Sequence, residues 1–109
     1  MLQKQSHEKA FNALGDPMRR AIFEKLRIHP LAVVDIAEGL PVSRPAVSQH
    51  IKVLKDAKLI RIQRRGTRNF CEIDPDGIIA MRFYLDQFWD GALTAFKRIA
   101  EQQEKNHSS

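Results

Sequence analysis

The chain has 109 residues, 43% of them apolar and 28% charged, with a formal net charge of +5. That length and balance suit one globular domain with a single modest core and are too small for two. No run nears the ~20 apolar residues of a membrane span, and the single cysteine, Cys71, excludes an internal disulfide or an all-cysteine metal cage within one chain.

The charge is concentrated. Residues 43–72 carry eight basic side chains (Arg44, Lys52, Lys55, Lys58, Arg61, Arg64, Arg65, Arg68) against Asp56 and Glu72, for +6, which leaves −1 for the remainder. A contiguous cationic third points to a polyanionic partner. An anionic membrane fits poorly, because this segment has turn and strand signals rather than one long helix with a bulky apolar face. The first residues lack the apolar core of a signal peptide, so the cytoplasm is the expected location.

Residues 1–6 are polar and expected to fray, as are residues 104–109. A short helix is predicted from His7 to Leu14, with Phe11 and Leu14 on one face and Gly15 ending it. Asp16 and Pro17 then fit the N-cap and first-turn positions of a second helix, whose buried stripe is Ile22, Phe23 and Leu26 and which His29-Pro30 closes. A third helix is expected over residues 31–40, packing Val33 or Val34, Ile36, Ala37 and Leu40 inward.

After the turn at residues 39–42, residues 43–57 form the most informative stretch. Val47, Ile51 and Leu54 recur at i, i+4 and i+7, one stripe of a helix. Ser43 is the expected N-cap, and Pro45 is tolerated in the first turn. Arg44, Ser48, Gln49, Lys52 and Lys55 then face outward. Arginine, glutamine and serine can bond to base edges in a major groove, and lysine mostly meets phosphates. Two helices joined by a short turn, the second capped and basic, make a helix-turn-helix pattern.

Residues 59–64 alternate as a strand, Arg65-Gly66-Thr67 is the expected turn, and residues 68–73 alternate back, giving a β-hairpin. Its apolar side is predicted to carry Ile60, Ile62 and Phe70, with Ile73 a further candidate. The arginines at its tip, Arg64, Arg65 and Arg68, repel one another and lend the fold nothing, but they suit a finger laid along a phosphate backbone or into a minor groove.

Asp74-Pro75-Asp76-Gly77 opens a long last helix, expected from about residue 78 to 103. One apolar stripe runs Ile78, Met81, Leu85, Phe88, Ala92, Ala95 and Ile99, and an offset one runs Tyr84, Trp89, Leu93, Phe96 and Ala100. One stripe suffices to dock the helix on its own domain; the second calls for a partner, most simply a second copy, the alternative being that both merge into one wide buried face of a monomer. Phe11, Leu85, Phe88, Trp89, Ala92, Phe96 and Ile99 are the candidate dimerisation residues. Gly91 lowers helicity locally and marks a bend or a close approach of two backbones. The expected architecture is therefore mainly α with a small β-hairpin: a helix-turn-helix followed by a hairpin, its last helix facing a partner. Residues 1–109 make a single domain, with 7–73 the helix-turn-helix and wing and 75–103 the dimerisation helix.

Three motifs in this order resemble bacterial ArsR-type winged-helix transcriptional repressors over about residues 10–103: Leu14-Gly15-Asp16-Pro17-Met18-Arg19-Arg20, then Val42-Ser43-Arg44-Pro45-Ala46-Val47-Ser48-Gln49-His50-Ile51-Lys52, and Arg64-Arg65-Gly66-Thr67-Arg68-Asn69-Phe70. The resemblance implies a winged helix-turn-helix, dimeric through terminal helices: a homodimer built on the first and last helices, with reading helices in successive major grooves of an inverted repeat whose half-sites lie about 34 Å apart. It assigns Ser43, Arg44, Pro45, Ser48, Gln49 and Lys52 to the DNA-facing part of the reading helix and Arg64, Arg65 and Arg68 to the wing. His50 matches a common histidine of the family and reads as a phosphate or packing contact.

Metal-sensing members carry a Cys-x-Cys pair where this chain has Ala32 and Val34, and its last helix offers Asp86 and Asp90 without a histidine, so no metal or other cofactor is expected. The aromatic-rich last helix is similar to that of a metal-free branch. No residue names a small-molecule inducer. Three rival functions remain for comparison. An enzyme lacks support, with no Gly-rich phosphate loop or nucleophile elbow and with four scattered histidines. A thiol sensor would rest on Cys71, better read as a small filler on a half-buried strand. A winged helix used for protein contacts alone would leave the basic reading helix and hairpin tip unexplained.

Overall fold

The computed structural model describes residues 2–107, and of these the side chains of residues 7–105. Five helices and three short strands follow in the order α1 (Leu2–Leu14), α2 (Pro17–Lys25), β1 (Leu31–Ala32), α3 (Val33–Ala37), α4 (Arg44–Asp56), β2 (Ile60–Arg65), β3 (Arg68–Ile73) and α5 (Pro75–His107). The architecture is the expected one, mainly helical with a hairpin wing, with departures at particular elements.

Asp16 caps α2 as predicted, its carboxylate accepting from the Arg19 N–H at 3.0 Å. The Arg19 guanidinium turns back to donate to the carbonyls of Ala13 at 2.7 Å and Asn12 at 3.2 Å, satisfying the open C-terminal end of α1. Helix α2 stops at Lys25, short of His29-Pro30, because the chain must straighten to lay Leu31 and Ala32 beside β3. That pairing, Leu31 with Cys71 and Ala32 with Phe70, also corrects the predicted third helix. Its first two residues are a strand, and only Val33–Ala37 is helical.

Among the described residues the sheet is antiparallel in the order β1-β3-β2. In the hairpin Arg65 pairs with Arg68, so the loop is the two residues Gly66 and Thr67, with Gly66 at φ +63 supplying the left-handed conformation. The predicted apolar side is therefore wrong at one position. Ile60 with Ile73 and Ile62 with Cys71 share the inner face, while Phe70 stands opposite Gln63 on the outer one. Taking Arg65 as part of a three-residue loop pairs Arg64 with Arg68 and shifts the register by one, which moves Phe70 to the wrong side.

The core gathers Ile22, Ile36, Val47, Leu54, Leu59, Ile60 and Cys71, all essentially inaccessible, with Ile51 and Leu26 beside them. Helix α5 begins against this core, Gly77 donating its N–H to the Lys58 carbonyl at 2.8 Å. It then runs along α1, Tyr84 meeting Phe11, and extends past the rest of the domain. At 33 residues it is about 50 Å long, which accounts for an elongated molecule of 71 × 33 × 22 Å. Both terminal helices exceed the prediction: α1 begins at Leu2 rather than His7, and α5 runs on to His107. The residues added, among them Leu2, Gln3, Lys4, Gln5, Glu104 and Lys105, are good helix formers. Of the tails expected to fray, Met1, Ser108 and Ser109 lie outside the described residues.

Candidate nucleic-acid interface

Ser43 caps α4, its hydroxyl accepting from the Ala46 N–H at 3.3 Å, and Pro45 occupies the first turn. Val47, Ile51 and Leu54 are buried, which fixes the rotation of the helix about its axis. Arg44, Pro45, Ser48, Gln49, Lys52 and Lys55 are all exposed, as one outward face of α4 requires. His50 is half-buried and lies toward α2. Asp16 titrates below the usual carboxylate range, mainly because the Arg19 N–H bonds to it, with smaller contributions from the charges of Arg19 and His50.

The wing stands beside this face. Ser48, Lys52 and Lys55 of α4 share a groove of about 350 Å³ with Ile62 of β2 and Val33 of α3, so α4 and the wing border one groove. At the tip, the Arg64 Nε donates to the Gly66 carbonyl at 3.2 Å. The Arg65 guanidinium lies over the Phe70 ring, 5.4 Å from its centroid. Arg61 farther down pairs with Glu72 at 2.7 Å, an ion pair that raises the arginine's already high pKa. The sequence-predicted residues thus fall into two sets, one on α4 and one at the wing, with Arg64 on the hairpin face opposite to Arg65 and Arg68. Phe70, as a support for Arg65, was missed. The two-residue Gly-Thr loop was the signal that would have placed it.

Cys71 is fully enclosed, and burial pushes its thiol up to about 11. It is the filler of the two readings, not an exposed thiolate beside arginines. Ala32 is buried ahead of α3, and Asp86 and Asp90 are exposed on α5. Among the described residues no three of the His, Cys, Asp and Glu side chains are gathered in a way that could hold a metal ion, and no helix is long and apolar enough to cross a membrane.

The candidate dimerisation residues line α5 in the open. Every side chain from Leu85 to Lys105 is exposed, including Phe88 at 58%, Trp89 at 62%, Phe96 at 71% and Ile99 at 56%. Phe11 of α1 meets this helix through Tyr84, ring centroids 5.7 Å apart, and Tyr84 in turn meets Phe88 at 5.1 Å and stacks on His7 at 4.2 Å. Ile78, Met81, Leu85, Phe88, Trp89 and Ala92 border an apolar groove of about 570 Å³.

Comparison with known proteins agrees with this geometry. A family profile described as a helix-turn-helix domain matches residues 14–63. The HTH-type transcriptional regulator Rv2034 of Mycobacterium tuberculosis is 49% identical over 90% of this chain and 92% of its own length. Among solved structures, an ArsR-like transcriptional regulator from Rhodococcus sp. RHA1 superposes with a TM-score of 0.74 at 25% identity, over 92% of this chain and 97% of that one. The homodimeric winged helix-turn-helix DNA-binding domain of Mb0332 from Mycobacterium bovis, a possible ArsR-family regulator, gives a TM-score of 0.63 at 25% identity over 80% of each chain. With 49% identity to one regulator over nearly the whole of both chains and the winged fold shared with others, the chain belongs to the ArsR-type family of winged helix-turn-helix transcriptional regulators.

Proposed function

We propose that the protein is a sequence-specific double-stranded DNA-binding repressor that works as a homodimer on an inverted repeat, without enzymatic activity, metal or cofactor. The observation that carries this is the outward basic face of α4, whose Lys52 and Lys55 border a groove shared with Ile62 of the wing, on the same strand face as Arg64 two residues on. In this reading Arg44, Ser48 and Gln49 contact base edges, Ser43, Pro45, Lys52 and Lys55 settle the helix on the backbone, and the half-buried His50 serves as the packing contact beside them. Arg64, Arg65 and Arg68 reach the flanking phosphates. Residues 7–73 form the reader and residues 75–103 the dimerisation helix of one domain.

The exposed apolar length of α5 supports a second copy as its cover. Burying a large apolar side chain contributes about 1.5–3 kcal/mol, and Leu85, Phe88, Trp89, Leu93, Phe96 and Ile99 each keep half or more of their area exposed. Burying the exposed half of these six on both protomers would contribute on the order of 9–18 kcal/mol, comparable with or above the association cost of a dimer, on the order of 4–15 kcal/mol. A patch of that size is rare on a monomer. A two-fold pairing through the α5 groove is the symmetry that an inverted repeat matches.

The test joins two measurements. Sedimentation should give a species of twice the 12.5 kDa chain mass. Binding to duplex DNA should weaken steeply with salt, with a slope of roughly −0.9 per phosphate neutralised. A monomer at micromolar concentration, or binding that stays flat from low to moderate salt, would contradict the proposal.

A further inference from the structure

Partners across the β2–β3 ladder share a face, so Arg61 with Glu72, Gln63 with Phe70 and Arg65 with Arg68 stand on one side of the wing. The last pair sets two like charges directly opposite each other, which repel and by themselves would splay over many rotamers. Phe70 gives one of them a direction. The Arg65 guanidinium rests over its ring, within cation–π range. The ring is half-buried, and its strand is held on the far edge by β1, where Phe70 pairs with Ala32, so the platform is fixed to the domain rather than to the tip.

We propose that Phe70 is a positioning residue for DNA binding, its ring holding Arg65 in the orientation in which it meets a phosphate. Ordering a long, flexible side chain opposes binding, and a side chain already ordered in the free protein lessens that opposition. This rests on the DNA-binding reading above. An apolar residue serving only to anchor the wing would be replaceable by leucine; a platform for a cation requires the electron-rich face of an aromatic ring.

Duplex affinity of the full-length protein, measured by fluorescence anisotropy, tests the idea with three changes at this position. Phe70→Leu, and a Phe70 whose ring hydrogens are replaced by fluorine, should each weaken binding about two- to fivefold per wing, the scale of an exposed cation–π pair. Phe70→Trp should bind as well as the parent or better. The loss should be equal on specific and random duplexes, since the contact is to phosphate. In an Arg65→Ala background Phe70→Leu should change nothing further. The fluorinated ring keeps the shape and so carries the test if the leucine variant fails to fold. Unchanged or tighter binding with the fluorinated ring, or an equal loss with and without Arg65, would overturn the proposal. A parent protein that binds no duplex would instead refute the DNA-binding reading itself.

Discussion

Replacing Gly77 by alanine should be the most disruptive one-carbon change in the chain. Gly77 lies in the first turn of α5, where its N–H donates to the Lys58 carbonyl at 2.8 Å and the Asp74 N–H donates to the Leu59 carbonyl at 2.9 Å. These bonds tie α5 to the segment leaving α4. A Cβ on Gly77 would stand 2.6 Å from the Lys58 carbonyl oxygen and 2.9 Å from that of Ala57. Restoring an ordinary 3.4 Å contact means a retreat of 0.8 Å from the first of them, and since both are backbone atoms no rotamer change can provide it. Overpacking of this kind costs about 1–3 kcal/mol, and a buried N–H pulled from its acceptor about 1–3 more. Gly77→Ala should therefore lose about 2–6 kcal/mol of unfolding free energy. Urea unfolding followed by circular dichroism, at one fixed protomer concentration, measures it. A loss under about 0.5 kcal/mol would show that the two backbones do not meet as described. Lys58 supplies the counter-test, being a non-glycine residue at φ +61. Lys58→Gly removes that strain, worth about 1 kcal/mol, against a smaller entropic cost in the unfolded chain, so stability should hold or rise slightly.

Three further predictions concern other parts of the molecule. Gln49→Ala and Arg44→Ala should flatten base preference by about 1–3 kcal/mol for each bidentate hydrogen-bond pair they remove, whereas Arg68→Ala should weaken binding evenly on all sequences; equal losses on specific and random duplexes from the first pair would refute their assignment. Ser43→Ala removes the cap of α4 and should cost about 1 kcal/mol of stability, read as a lower unfolding midpoint, with no change refuting the cap. Cys71 has a folded pKa of about 11 against an ordinary 9.0. Its stabilising contribution is therefore complete below pH 9 and is lost as pH rises toward 11. Native protein at pH 8 should resist alkylation and Cys71→Ser should flatten the alkaline loss; rapid native labelling would contradict the burial.

What could be read from the sequence was what local chemistry specifies. Residues 43–57 announced a helix and its orientation because cap, first-turn proline and apolar stripe all agreed. Asp16-Pro17 did the same for α2. Strand β1 was illegible, since two residues become a strand only through pairing with Cys71 and Phe70, some forty positions away. The face of Phe70 was misread by one residue of loop length, because strand parity reverses with each step of register. Gly77 looked like part of a cap, and its close approach to Lys58 is a tertiary fact with no local sign. The double stripe of α5 was visible, yet the helix's full reach to His107 was not, because good helix formers at a terminus resemble a polar tail.

Whether two copies read one inverted repeat is answered most directly by selecting bound duplexes from a random pool. Enrichment of a two-fold symmetric sequence is expected, with half-sites about 10 base pairs apart, centre to centre, and Gln49→Ala should weaken that enrichment at the base position it reads in each half-site. A selected sequence with no repeat, or no enrichment over the starting pool, would contradict a dimeric reader.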